Sequence, residues 1–339
     1  MRLSDFIAIG LGLALTAYAL LAGADFGAGI LHLTFTGRPH QQGSLTRTIG
    51  PLWEANHVWL IFCITILFSA FPAAFAALGR VLLAPFTLVL MALVVRGVAF
   101  GVLSGAAGLE RADRLLGRAF GAASVIAPLL FGASAAAVAQ VSSAARTASA
   151  APAGGTPLSV PWTGLFAGMV GLLAVALCAH LGAVFMTSRL ERAGEMRLVD
   201  GFRRRGLQTG TALLGFSVLA LLVAAWKAPS VWHRLTTAGL ALVVIGLLAT
   251  VASVISLARR RYSTARGATL LAGGALMWGW FIAQSPHLIG TRLTIDTAAA
   301  TAPALTALAV AGGLVLIAVL PAFYLLYVLF ARPSPEVTE

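Results

Sequence analysis

The chain has 339 residues, of which 59% are hydrophobic and only 10% are charged, with a mean hydropathy of +0.94. No soluble domain of this size can hide that much apolar side chain, so the composition indicates a polytopic membrane protein built as one α-helical bundle. The net charge of +12 does not mark a nucleic-acid binder, because the basic residues fall in short connectors between apolar runs rather than on one soluble face.

The first apolar run, 6–33, follows a single basic residue, Arg2. It is too long for a signal-peptide core and lacks a clear small-residue cleavage site, so it reads as a retained span. Eight further candidate spans follow at 52–78, 81–104, 117–140, 162–188, 208–226, 235–258, 268–286 and 303–330. A turn near Gly79 and Arg80 is expected to divide the second from the third. Cys63 and Cys178 both lie inside apolar runs; they form no Cys-rich metal motif and read as small core hydrophobes.

The segment "VSSAARTASAAPAGGTPLSVP", 141–161, reads as a loop without a site of its own. The charged stretch 189–207 reads as a helical extension at the membrane surface. "GADFGAGILHL" in the first span and "CAHLGAVFMTS" in the fifth share Ala, Gly and Ala at matching offsets. That correspondence suggests a parallel repeat, with two four-helix bundles and one peripheral ninth helix.

Direction follows from the connectors. With the N-terminus outside, the inner segments hold sixteen Lys and Arg and the outer segments six, while Arg96 lies inside the third span. The positive-inside rule therefore favours an outer N-terminus and a cytoplasmic C-terminus.

Charge inside a span costs about 3 kcal/mol or more, so each case requires a reason. Asp25 and Arg96 each lie about eight residues from the inner end of their span, roughly 12 Å deep. Glu54 lies nearer the surface, at the start of the second span. At about 100° per residue, Trp53, Glu54, Asn56 and His57 fall within an arc of roughly 160°. Glu54 and His57 are three residues apart and can touch along a helix. A carboxylate at the surface, an imidazole beside it and a deeper carboxylate form the composition of a proton entry path.

Plainer readings stand beside that one. Asp25 and Arg96 could be a neutralising pair that holds two helices together. Trp53 and Trp59 could be interfacial anchors. His180, on an apolar helix, could be a hydrogen-bonded packing residue. No phosphate-binding glycine loop, nucleophile triad or metal motif is present, and no haem or metal ligand is assigned to this chain.

"GPLWEANHVWLIF" followed by "LFSAFPAAFAAL" resembles the second-span signature of subunit II of cytochrome bd-type quinol oxidases, Trp-Asp-Gly-Asn-Glu-Val-Trp with a Phe-Pro-rich stretch after it. "GADFGAGIL" resembles that family's first-span pattern Asp-Gly-Phe-Asp-Leu-Gly, "RGVAF" its third-span motif, and "QSPHLIG" with "LTID" its eighth-span exit. Ala22 replaces the first acid of the first-span pattern, Glu54 stands where Asp is usual, and His57 replaces the usual Glu. Gly101 and Leu103 replace the acid and arginine that commonly follow the third-span motif. The chain thus resembles a divergent branch.

The resemblance implies an electron-transport oxidoreductase of the respiratory chain in which this chain is the subunit that ligates no haem. Haems b and d and the quinol site would belong to the partner, subunit I, in a heterodimer that reduces oxygen to water. Asp25, Glu54, His57 and Arg96 would line a cytoplasmic proton pathway, with Trp53, Asn56 and Trp59 supporting it. A structural quinone or lipid, and a small single-span subunit, are compatible with it. Two alternatives are a membrane scaffold without a relay and a proton-coupled transporter. A transporter favours inverted repeats, and the repeat here is parallel.

Overall fold

The computed structural model describes residues 2–34, 58–104, 110–147, 162–289 and 293–330. Its helices are α1 (Leu3–Thr34), α2 (Val58–Ala70), α3 (Pro72–Val81), α4 (Leu83–Ser104), α5 (Glu110–Thr147), α6 (Leu165–Arg192), α7 (Met196–Lys227), α8 (Pro229–Thr236), α9 (Leu240–Ala258), α10 (Tyr262–Gln284) and α11 (Ala302–Phe330). A two-stranded antiparallel hairpin, β1 (His287–Ile289) and β2 (Leu293–Thr294), sits between α10 and α11. The chain is thus an all-α membrane protein. Among the described residues six helices, α1, α4, α5, α6, α7 and α9, are long and apolar enough to cross a bilayer, or seven if α2 and α3 form one bent span. Length and apolarity alone therefore do not reach the nine spans expected.

The expected continuous helix over 52–78 is broken within its described part. α2 and α3 meet at 116°. Pro72 has no N–H to continue the ladder and forces the preceding residue out of the α region, and Phe71 accordingly takes φ −132° and ψ 58°. The next break falls at Leu82 rather than at Gly79 and Arg80.

The same device recurs 157 residues later. Pro229 opens α8, and Ala228 before it takes φ −141° and ψ 61°. Each half therefore reads as a long helix (α1 or α6), a helix ended by proline and a short turned helix (α2–α3 or α7–α8), and two more helices (α4–α5 or α9–α10). The repeat is parallel, as the "GADFG" and "CAHLG" segments suggest. α11 lies outside both halves and packs through Leu305 and Leu308 against Ile7 and Leu11 of α1.

The halves join where α1 crosses α6. A Cβ on Gly27 would collide with the Cys178 carbonyl, and one on Gly182 with the Gly27–Ala28 backbone. The two helices thus touch backbone to backbone, an approach that glycine permits and that packing in lipid rewards. α5 meets α6 in the same way: a Cβ on Gly132 would lie 2.7 Å from Val170 O, and one on Gly171 2.6 Å from Leu129 O.

At one end, Phe71, Ala74 and the hairpin pack together, and Arg2 reaches Asp296 at 2.6 Å. That guanidinium holds the Asp296 carboxyl below the usual carboxylate range. At the other end, Leu31, Phe120, Met186, Leu190, Phe202, Leu257 and Tyr262 form a closed core. This end carries the turns α6–α7 and α9–α10, and Arg205 donates to Thr34 O at 3.0 Å, capping α1.

Gly182→Ala is expected to cost the folded protein about 1–3 kcal/mol through forced helix separation. Gly215→Ala, with open space around it, is expected to leave stability within about 0.5 kcal/mol. Thermal unfolding in detergent compares the two.

Candidate functional site

Asp25 lies in the glycine-rich middle of α1, two residues before Gly27, and is 1% exposed. Opposite it on α4, Arg96 is 2% exposed. Arg96 Nη2 donates to Asp25 Oδ1 at 2.7 Å and to the Asp25 carbonyl at 3.1 Å. Arg96 Nε donates to Ser124 Oγ of α5 at 2.9 Å, and Ser124 Oγ in turn donates to Phe120 O at 2.7 Å. Phe26 and Phe120 lie against the guanidinium, with ring centroids 5.0 and 4.8 Å from Cζ. Gly29 leaves room for Ser124, since a Cβ there would strike its Oγ.

This arrangement answers a buried charge in three ways: an opposite charge, hydrogen bonds from Nε and Nη2, and polarisable rings in place of water. One atom is left over. Asp25 Oδ2 is buried without a hydrogen-bond partner among the described residues. It is the free acceptor of the cluster.

The second half holds a polar cluster at the matching place. His180 of α6, two residues before Gly182, is 0% exposed. Its Nδ1 lies 3.1 Å from Gly206 O of α7 and its Nε2 2.9 Å from Ser253 Oγ of α9. Ser253 Oγ lies 2.7 Å from Thr269 Oγ1 of α10. Because Gly206 O can only accept, Nδ1 carries the proton and Nε2 accepts from Ser253. His180 thus has a protein partner at each ring nitrogen. The geometry makes it a hydrogen-bonded packing residue.

Each half therefore has a polar core on its own side of the α1–α6 crossing. The first is charged, Asp25–Arg96–Ser124; the second is neutral, His180–Ser253–Thr269. Near the arginine-rich end His32 is buried, its ring edge-on to Phe120 at 5.9 Å and close over Gly117, where a Cβ would lie 2.7 Å from Cε1.

Of the residues singled out in the sequence, Asp25 and Arg96 come together directly. Trp59 is half-buried at the start of α2, edge-on to Phe62 with centroids 6.4 Å apart. Trp53, Glu54, Asn56 and His57 lie outside the described residues. Sequence reading missed Ser124, Phe26 and Phe120, which complete the arginine cage. Ser124 was visible as a hydroxyl in an apolar run, one turn after an aromatic. Among the described residues no group of three or more His, Cys, Asp or Glu side chains could hold a metal ion.

Arg96→Met leaves a carboxylate buried without its counter-charge and is expected to cost about 3–5 kcal/mol. Asp25→Leu combined with Arg96→Met removes both charges, and most of that stability should return. Thermal melts of the two variants in one detergent decide it.

A family model described as cytochrome bd terminal oxidase subunit II matches residues 3–330. Cytochrome bd ubiquinol oxidase subunit 2 of Bacillus subtilis (strain 168) is 40% identical over 83 residues, 24% of this chain and 25% of that protein. The putative cytochrome bd menaquinol oxidase subunit II of the same organism is 36% identical over 81 residues, 23% of each chain. The chain thus spans about a quarter of the length of these curated relatives. A chain in the structure of bd oxidase from Geobacillus thermodenitrificans matches with a TM-score of 0.77 over 98% of this chain and 100% of that one, at 23% identity, a likeness of fold. The chain belongs to the cytochrome bd terminal oxidase subunit II family.

Proposed function

We propose that this chain pairs with a haem-bearing subunit I and supports quinol oxidation coupled to reduction of oxygen to water, while lining a proton route from the cytoplasm. Haems b and d belong to the partner in this reading, and the chain alone is inactive. The N-terminus faces outward and the C-terminus inward, as the distribution of basic connectors favours.

Protons enter at Glu54 and His57 and pass to Asp25, with Arg96 tuning that acid. The observation that carries this reading is the division of labour on one carboxylate: Oδ1 is occupied by Arg96, while Oδ2 is buried without a partner among the described residues. Oδ2 is the oxygen free to receive a proton or a water molecule. Arg96 acts there as the counter-charge.

A scaffold role is the second reading, and the complete guanidinium cage favours it. Two experiments on the assembled complex separate the readings. In the relay reading, Glu54→Gln leaves assembly and haem content normal but lowers quinol-driven oxygen consumption about tenfold or more. In the scaffold reading Glu54→Gln leaves turnover unchanged. Asp25→Asn with Arg96→Gln keeps the pair neutral and removes the titrating group. Slow turnover in a well-assembled complex supports the relay; normal turnover overturns it.

A further inference from the structure

The arginine-rich end carries charge that neither polar core uses. Of the 23 Lys and Arg in the chain, Lys227 is the sole lysine, so guanidinium groups carry the charge at this end. Asp200 on α7 meets Arg260 Nη2 at 3.0 Å and ties the α9–α10 turn to α7. Arg203 strengthens that join, donating from Nε to Leu257 O at 2.8 Å and from Nη2 to Ala258 O at 2.7 Å. Arg197 and Arg204 stand three residues before and four after Asp200 and therefore share its helix face. They are exposed, as are Arg259 and Arg261 on either side of Arg260. Arg197, Arg204, Arg259 and Arg261 thus stand exposed on the two segments that the Asp200–Arg260 pair joins, with Glu191 and Glu195 as the exposed acids of the α6–α7 turn.

The backbone adds a second observation. Arg260 has φ 58°, the one positive value at a non-glycine residue among those described. Glycine adopts this conformation freely and arginine does not. A side chain retained at a strained position points to a use for that side chain.

A third observation concerns what lies beside the charge. Leu248, Val251 and Ile255 are exposed on α9, at 63%, 39% and 46%. They sit at helical spacing of three and four, and Arg259 follows Ile255 by four. An apolar stripe therefore runs along the helix and ends at guanidinium groups. A ligand that fits has acyl chains for the stripe and an anionic head for the arginines. Free phosphate uses only the second.

We propose that this face binds the phosphodiester headgroups of anionic phospholipids, with acyl chains along α9. The planar fork of arginine matches phosphate oxygens in pairs, which a lysine ammonium cannot do. Bound lipid would bridge the α6–α7 and α9–α10 turns and clamp the second half.

The intact oxidase complex, reconstituted in phosphatidylcholine nanodiscs with or without phosphatidylglycerol, provides the test. Phosphatidylglycerol is expected to raise the Tm of the wild type by a few degrees, and inorganic phosphate at the same concentration to leave it unchanged. Arg259→Gln with Arg261→Gln should lose at least half of that rise. Arg260→Gly relieves the left-handed strain but also removes the Asp200 bridge, so its Tm in phosphatidylcholine serves as its own baseline, above which its lipid-dependent rise should be smaller than that of the wild type. Should the double variant fail to assemble, the Arg260→Gly comparison decides between the outcomes. Equal rises in all three proteins, or a rise with inorganic phosphate, overturn the proposal. Oxygen consumption is read in parallel, so failure here is distinct from failure of the proton route.

Discussion

A carboxylate and a guanidinium inside a hydrocarbon layer can remain only together. Asp25 and Arg96 lie on different helices, 71 residues apart, and are joined at 2.7 Å. Their attraction fixes the rotation of α1 against α4, because either helix turned away would strand a charge at a cost no apolar contact could offset. Ser124 brings in α5, and the rings of Phe26 and Phe120 lie against the guanidinium. The first half of the bundle is organised around this pair.

The second half solves the same packing problem without charge. His180 takes the place of Asp25 relative to the glycine at the crossing, and hydroxyls of Ser253 and Thr269 take the place of arginine and serine. A neutral network fully satisfied by its own groups has no oxygen left over. The charged one leaves Asp25 Oδ2 open. That asymmetry between two similar halves is what the proposed proton route rests on. Between them, Gly27 and Gly182 let the long helices touch, which brings both polar cores against one shared seam.

Much of this is legible in the sequence, for physical reasons. Asp25 and Arg96 stand out because charge is rare in apolar runs, and their equal depth follows from helical rise. The repeat shows in "GADFG" and "CAHLG" because the glycines serve the same contact. The bend at Phe71 escapes a hydropathy reading although Pro72 is in plain view: hydropathy measures side chains and does not register a lost N–H. The cage residues escape it because Phe120 and Ser124 are more than twenty residues from Arg96, and spacing along one helix says nothing about a neighbour. The partners of His180 escape it for the same reason, since they come from three other helices.

In the proposed route Asp25 exchanges a proton while Arg96 holds it in place. Infrared difference spectra of the assembled complex, oxidised against reduced, read this directly. A carbonyl stretch from a protonated carboxylic acid is expected to appear on one side of the cycle and to be absent in a complex carrying Asp25→Asn with Arg96→Gln. Identical carboxyl bands in the wild type and that variant would contradict it and leave the pair a structural clamp alone.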